Sequence, residues 1–248
     1  MKIKRNLLWA LFILFLYSPL TLFAEKRGQL PALDLDEEGA LTFAKGFPYA
    51  ESHRHFSHAM AIHPLGIIDW SDGEESQRII KATLKKMEEI GPKWWCGYSY
   101  SWIANMYARA FDGEKAAKAL KTFATCFCLP NTFHANGDQS KSGKSAFTYR
   151  PFTLEGSFAF ASAIQEMLLQ SHTSVIRVFP AIPASWKNVS FTNLRAMGAF
   201  LVTAARKDGH LTQLVLYSEK GGKARLLNPL SDMIEVYEMA PGETKVIL

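Results

Sequence analysis

Only three cysteines stand among the 248 residues. An odd number cannot close a disulfide framework, and Cys126 and Cys128, two apart on one predicted helix, are badly placed to bridge each other. His-Glu-x-x-His, a Cys/His finger spacing and a Gly-x-Ser-x-Gly elbow are all missing, and with them the zinc and serine-hydrolase chemistries they signal. There is no fixed-period repeat and no low-complexity tract. Excess charge is also scarce. The formal charge is +5, but Lys2, Lys4 and Arg5 supply three of those charges, and the chain beyond residue 24 carries only +2. So near-neutral a body gives no electrostatic reason to expect nucleic acid. What is present is globular: 48% hydrophobic, 12% aromatic and 21% charged residues, in a chain long enough for one domain or one and a half.

The first segment reads as an address. Lys2, Lys4 and Arg5 precede an unbroken apolar run from Leu7 to Leu16, followed by Ser18, Pro19 and Thr21. This is the layout of a secretory signal peptide, residues 1–24, with cleavage after Ala24. An uncleaved anchor is the rival, although Pro19 interrupts a stretch barely long enough to span. The expected location is periplasmic or extracellular, with no stable membrane span after cleavage.

Helices come next, then strands. Ile80, Leu84 and Met87 share one face of a predicted helix over 74–90, stopped by Gly91-Pro92. Further helices are predicted over 99–111, 114–128 and 157–171. The last carries Phe158, Ala161, Ile164 and Leu168 as its packing face. A long polar loop, 131–154, separates the third helix from the fourth, and loops of that length are often functional. From Ser174 the period shortens. Strands are predicted at 175–179, 199–206 and 211–217, the last two forming a hairpin across Asp208-Gly209, and then at 223–227, 234–237 and 245–248.

Three groups of residues could carry chemistry. His53, Arg54, His55 and His58 fall in one short window, with His63 just beyond. Imidazoles can bind metal, but the spacing matches no metal motif, and a polar pocket lined by hydrogen-bonded side chains is the reading adopted, with no metal and no cofactor. Trp94, Trp95, Tyr98, Tyr100, Trp102 and Tyr107 crowd a second window. Some must be core, but aromatics with a polar edge also make platforms for sugar rings. Glu155 stands where the long loop meets the fourth helix. There a carboxylate serves either as a simple cap or as a reactive group stabilised by the helix N-terminus.

These segments, in order, resemble the C-terminal half of glycoside hydrolase family 95, the inverting 1,2-α-L-fucosidases and α-L-galactosidases. The matching pieces are His53-Arg-His-Phe-Ser-His58, Gly97-Tyr-Ser-Tyr-Ser-Trp102, Ala108-Arg109 with Asp112-Gly113, and Leu129-Pro-Asn131. They continue with Glu155-Gly-Ser-Phe158, Glu166 to His172, Phe179-Pro-Ala-Ile-Pro183, Trp186 and Leu194-Arg-Ala-Met-Gly198. The resemblance implies a mainly α, then β architecture. Residues 25–173 would form the second half of an (α/α)6 barrel of the six-hairpin glycosidase type, and residues 174–248 a small C-terminal antiparallel β domain. It implies a glycan or oligosaccharide substrate, with Glu155 as the catalytic carboxylate and His53, Arg54, His55, His58, Trp94, Trp95, Tyr98, Trp102 and Asn131 as substrate-binding residues. Glu155 stands where the family's usual motif has aspartate. The family's general acid and water-holding asparagine pair lie in a part with no counterpart here, so a missing N-terminal half, or self-association, is an expected partner. A chain inactive alone and a non-catalytic carbohydrate-binding remnant are both consistent with this pattern.

Overall fold

A computed structural model describes residues 32–248; residues 1–24, the expected signal peptide, lie outside the described residues. Leu35–Leu248 is one compact unit. Its described α-helices are α1 (Glu74–Ile90), α2 (Gly97–Arg109), α3 (Gly113–Cys126) and α4 (Glu155–Leu168). No helix among the described residues is long and apolar enough to cross a membrane.

Each helix follows from its sequence. α1 opens on Glu74 and Glu75, whose charges suit the positive end of the helix dipole, and buries Ile79, Ile80, Thr83, Leu84 and Met87. Gly91, at φ 78°, ends it and donates its N–H to the Met87 carbonyl. α2 is buried along almost its whole length, from Gly97 to Arg109 with only Tyr98 half-exposed. A fully buried helix must satisfy its polar side chains internally. The Asn105 carboxamide donates to the carbonyls of Ser101 and Ala159 and accepts from the Ser162 hydroxyl, which ties α2 to α4. α3 is capped by Asp112, which accepts from the Lys115 N–H, and turns Ala116, Ala119, Leu120 and Phe123 inward.

α4 departs from the sequence expectation. Its packed residues are Gly156, Ala163, Met167 and Leu168, whereas Phe158 is 67% exposed and Ala161 is exposed too. The small residues lie against α2, and the bulky ring points away. The polar loop is longer-armed than expected as well, because α3 stops at Cys126 and α4 starts at Glu155.

The chain passes from α4 directly into β1 (Leu169–Gln170). The other strands are β2 (Ile176–Val178), β3 (Val189–Ala196), β4 (Phe200–Lys207), β5 (His210–Ser218), β6 (Gly222–Asn228), β7 (Met233–Met239) and β8 (Thr244–Val246). They form two four-stranded sheets, ordered β1-β2-β6-β7 and β3-β4-β5-β8. One pairing corrects the expectation of an antiparallel region: β2 runs parallel to β6. β3 was not anticipated. A register shift between Phe191 and Leu194, with Asn193 at φ 55°, breaks its alternation and hides the strand from a period-two reading. The β4–β5 hairpin turns at Asp208-Gly209 as expected. A second core, built on Val202, Ala204, Leu214, Leu216 and Leu226, fills this region, and Ile164 of α4 packs against both cores.

Helix direction sets where function can sit. α1 and α3 end where α2 and α4 begin, so the C-termini of the first pair and the N-termini of the second share one end of the helical layer. The loop 127–154 covers that end. The opposite end faces the strands, where the Gln170 carboxamide donates to the Ala108 carbonyl at 2.8 Å.

Candidate active site

The histidine segment is stitched to the loop-covered end. The Ser52 hydroxyl donates to the Gly91 carbonyl and accepts from the Trp94 N–H. The Ser99 hydroxyl, in the first turn of α2, donates to the Arg54 carbonyl at 2.6 Å. His53, Arg54 and His55 are exposed there, and the His55 N–H donates to His53 Nδ1 at 3.2 Å. Burial lowers the pKa of His55, as do the charges of Arg54 and His53, while the Glu155 carboxylate opposes the shift. Glu155 also acts on Tyr98, whose pKa burial raises first and the carboxylate second. Glu155, His55 and Tyr98 are therefore one electrostatic neighbourhood. The Glu155 carboxylate is exposed and accepts no hydrogen bond among the described residues. A cap would be engaged with backbone N–H groups; this one is free to meet a ligand.

His134 joins this group and carries no local sequence signal. It is 1% exposed and wedged between the first residues of two helices. Its Nδ1 lies 2.8 Å from Thr153 Oγ1 and 3.1 Å from the Thr153 carbonyl, and its Nε2 has no partner. Burial pushes its pKa down, against the pull of the Thr153 carbonyl and Glu155. The wedge exists because both flanking residues are glycine. A Cβ on Gly97 would stand 2.1 Å from His134 Nε2, and one on Gly156 would stand 2.4 Å from its Cε1. We expect Gly156→Ala to destabilise the fold by ~1–3 kcal/mol, although alanine is the better helix former by ~1 kcal/mol. Urea titration of Gly156→Ala with and without His134→Ala checks this. An equal cost in both backgrounds would remove the wedge as its cause.

Other expected ligand residues lie elsewhere. Trp95 and Trp102 are 5% and 8% exposed, in the core rather than on a platform face. Their indole N–H groups are satisfied internally, by the Tyr49 hydroxyl and the His63 carbonyl, so both rings can be buried at little polar cost. His58 is also core. Its ring stacks on Tyr49 with centroids 4.7 Å apart, and neither ring nitrogen has a partner. Asn131 is exposed, and its side-chain oxygen accepts from the Phe133 N–H within its own turn. Trp94 is 42% exposed and remains available. Among the described residues, no three His, Cys, Asp or Glu side chains gather closely enough to hold a metal ion.

The buried imidazoles make the fold acid-sensitive. Burial, helped by the charge of His53, pushes the His58 pKa down to about 4, and burial with Arg109 and His172 does the same for His63 against the pull of Glu166. Both bind protons more readily when unfolded, so the stability they hold above pH ~6.5 is lost as pH falls towards 4. At pH 5 the expected loss is ~2 kcal/mol per histidine. His58→Phe keeps the stacking and removes one of these protons. Its melting temperature is therefore expected to fall less between pH 7 and pH 5; an acid slope equal to the parent's would exclude His58 as a contributor.

A family model described as the glycosyl hydrolase family 95 catalytic domain matches residues 21–168, and one described as the glycoside hydrolase family 95 C-terminal domain matches residues 170–244. The chain belongs to glycoside hydrolase family 95. It is similar to Alpha-L-fucosidase 2 of Arabidopsis thaliana, with 31% identity over 205 residues. That match covers 81% of this chain and 24% of the relative, so the family 95 chain spans about a quarter of the length of the curated relative it matches. The two matched stretches meet where α4 passes into β1. The helices followed by sheets are consistent with these catalytic and C-terminal domains; a complete (α/α)6 barrel is not what the described residues form.

Proposed function

We propose that this protein is the Glu155-bearing part of an exported glycosidase that removes terminal α-L-fucosyl or α-L-galactosyl residues from glycans with inversion. One observation carries the reading: the Glu155 carboxylate stands unengaged at the start of α4, in the electrostatic neighbourhood of His55 and Tyr98. An inverting enzyme needs two carboxyl groups about 6.5–9.5 Å apart, with the attacking water between one of them and the sugar. Glu155 is the base that takes a proton from that water. His55, Arg54 and Tyr98 offer the donors that fix sugar hydroxyls. The general acid comes from the part of the relatives' length that this chain does not span. The exposed apolar side chains Phe133, Phe152, Leu154 and Phe158 are the surface on which such a remainder would pack. The signal-like residues 1–24 support delivery to the periplasm or the cell exterior.

A sugar-binding module without turnover is the second reading. It is favoured by glutamate standing where the family's motif has aspartate, since one extra methylene shifts the carboxylate from the geometry that the motif sets. Release of L-fucose from 2′-fucosyllactose separates the two, measured on the chain alone and with the remainder of the family catalytic domain supplied. Turnover under either condition, abolished by Glu155→Gln, supports hydrolysis; binding without release supports the module.

A further inference from the structure

The loop between α3 and α4 carries a surface that this reading does not use. Residues 145–149 fold back on the turn before α2. The Ala146 N–H donates to the Lys93 carbonyl at 2.7 Å, and the Ser145 hydroxyl donates to the Trp95 carbonyl at 2.5 Å. These bonds seat Phe147 beside Trp94, with ring centroids 5.4 Å apart, and Tyr149 beside Phe147 at 5.2 Å. Trp94 and Tyr149 are 42% and 40% exposed. Polar groups fringe the row. The Asn136 carboxamide donates to the Tyr149 hydroxyl at 3.1 Å, and Arg150 Nε donates to Gln139 Oε1 at 2.7 Å.

We propose that Trp94 and Tyr149 form a platform for the sugar residues of an oligosaccharide that lie beyond the terminal residue addressed by Glu155. This rests on the glycosidase reading and extends it to the rest of the substrate. A sugar ring presents a face of C–H bonds and a rim of hydroxyls. It therefore fits an exposed aromatic ring edged by an amide and a guanidinium. The rings are tilted by 53° and 83° in turn, so Trp94 (with Lys93 Nζ 5.3 Å from its centroid) and Tyr149 each offer a separate ring to a sugar. The other exposed ring pair on this loop does not meet that need. Phe133 and Phe152 stack at 4.8 Å, and neither ring carries a polar edge.

The platform is joined to the catalytic carboxylate by a continuous ladder. The Gly137 N–H donates to the Tyr149 carbonyl, the Asn136 N–H to the Pro151 carbonyl, Ala135 bridges Phe152, and His134 contacts Thr153. Gly137 is needed here, since a Cβ would stand 2.6 Å from the Tyr149 carbonyl oxygen. Five residues separate Tyr149 from Glu155, a span of at most about 22 Å. A short oligosaccharide can therefore touch both.

Isothermal titration of the Glu155→Gln protein, which prevents turnover, tests this with three probes: L-fucose, lactose and 2′-fucosyllactose. Trp94→Ala and Tyr149→Ala should each weaken lactose and 2′-fucosyllactose about fivefold or more, with melting temperatures near the parent's. Tyr149→Phe keeps the ring and should lose much less. Oligosaccharide affinities equal to the parent's in both alanine variants overturn the platform, as does failure of either oligosaccharide to bind the parent. Failure of L-fucose alone overturns the proposed sugar at Glu155, while the lactose arm still decides the platform.

Discussion

Glu155→Gln is expected to lower kcat by at least ~10²-fold while changing stability by less than ~1 kcal/mol. The substitution keeps shape and removes the charge that abstracts a proton from water. Proton transfer by a positioned side chain contributes typically ~10²–10⁴-fold, so the loss should be large wherever turnover exists. Stability should barely move, because the carboxylate is exposed and accepts no hydrogen bond among the described residues. Its remaining structural contribution is a favourable charge at the start of α4, worth ~0.3–1 kcal/mol at most. A cap would behave oppositely, with stability falling and turnover preserved. Measuring kcat for L-fucose release alongside a urea melt therefore separates the two roles of Glu155 in one pair of variants. Unchanged turnover in the glutamine variant would reduce Glu155 to a local charge.

Polarity out of place singled out the histidine segment and Glu155 in sequence, and in the structure His55 lies within electrostatic reach of Glu155. Exposed imidazoles and an arginine beside a run of aromatics, and a carboxylate where a polar loop meets an apolar helix, stand out from their apolar surroundings. Burial was harder to read. Trp95, Trp102 and His58 look like ligand residues in sequence. Only the structure shows that Tyr49 and His63 satisfy the indoles, and that His58 stacks on Tyr49 with Phe43 tilted against it. Such partners are 39 or more residues away for the indoles, beyond any local pattern. His134 was invisible for a related reason: its place is defined by two glycines, Gly97 and Gly156, that meet only after α2 and α4 pack.

Among the elements, α1 matched its periodicity at both ends, because an amphipathic stripe closed by Gly91-Pro92 leaves little choice. α4 did not yield its buried face, since apolar residues surround it. The side occupied by Phe158 reads as core in sequence, yet it is open in this chain. The strands followed their turn residues where alternation was clean. They failed at β3, where the bulge at Asn193 interrupts the alternation, and at β1, which continues a helix without a break.

Removing Glu166 should destabilise the fold by ~3–5 kcal/mol, the usual consequence of stranding one partner of a buried ion pair. Arg109, near the end of α2, meets Glu166 of α4 through two parallel bonds, Nε to Oε2 at 2.7 Å and Nη2 to Oε1 at 2.8 Å. The side chains are 7% and 18% exposed, so the stranded guanidinium would be largely shielded from water. Arg109 Nη1 already lacks a partner, which leaves the guanidinium no alternative acceptor among the described residues. The surroundings add to the cost. His63 stands close enough for Arg109 to lower its pKa, and His172, 2.6 Å from Asp69, does the same. Although burial opposes it, hydrogen bonds from His172 and Ser71 hold the Asp69 carboxyl well below its usual range, so Asp69 is already committed elsewhere. Glu166→Ala should therefore lower the melting temperature by on the order of 10 °C, given ~2–4 °C per kcal/mol for a chain of this size. The pair itself is a different quantity. Replacing both partners together, Arg109→Met with Glu166→Leu, leaves no stranded charge and should recover most of the loss. Recovery in the double variant would show that the pair fixes how α2 meets α4 rather than supplying net stability. If Glu166→Ala melts within ~1 kcal/mol of the parent, water reaches Arg109 in solution, and this end of the helical layer is more open than its packing indicates.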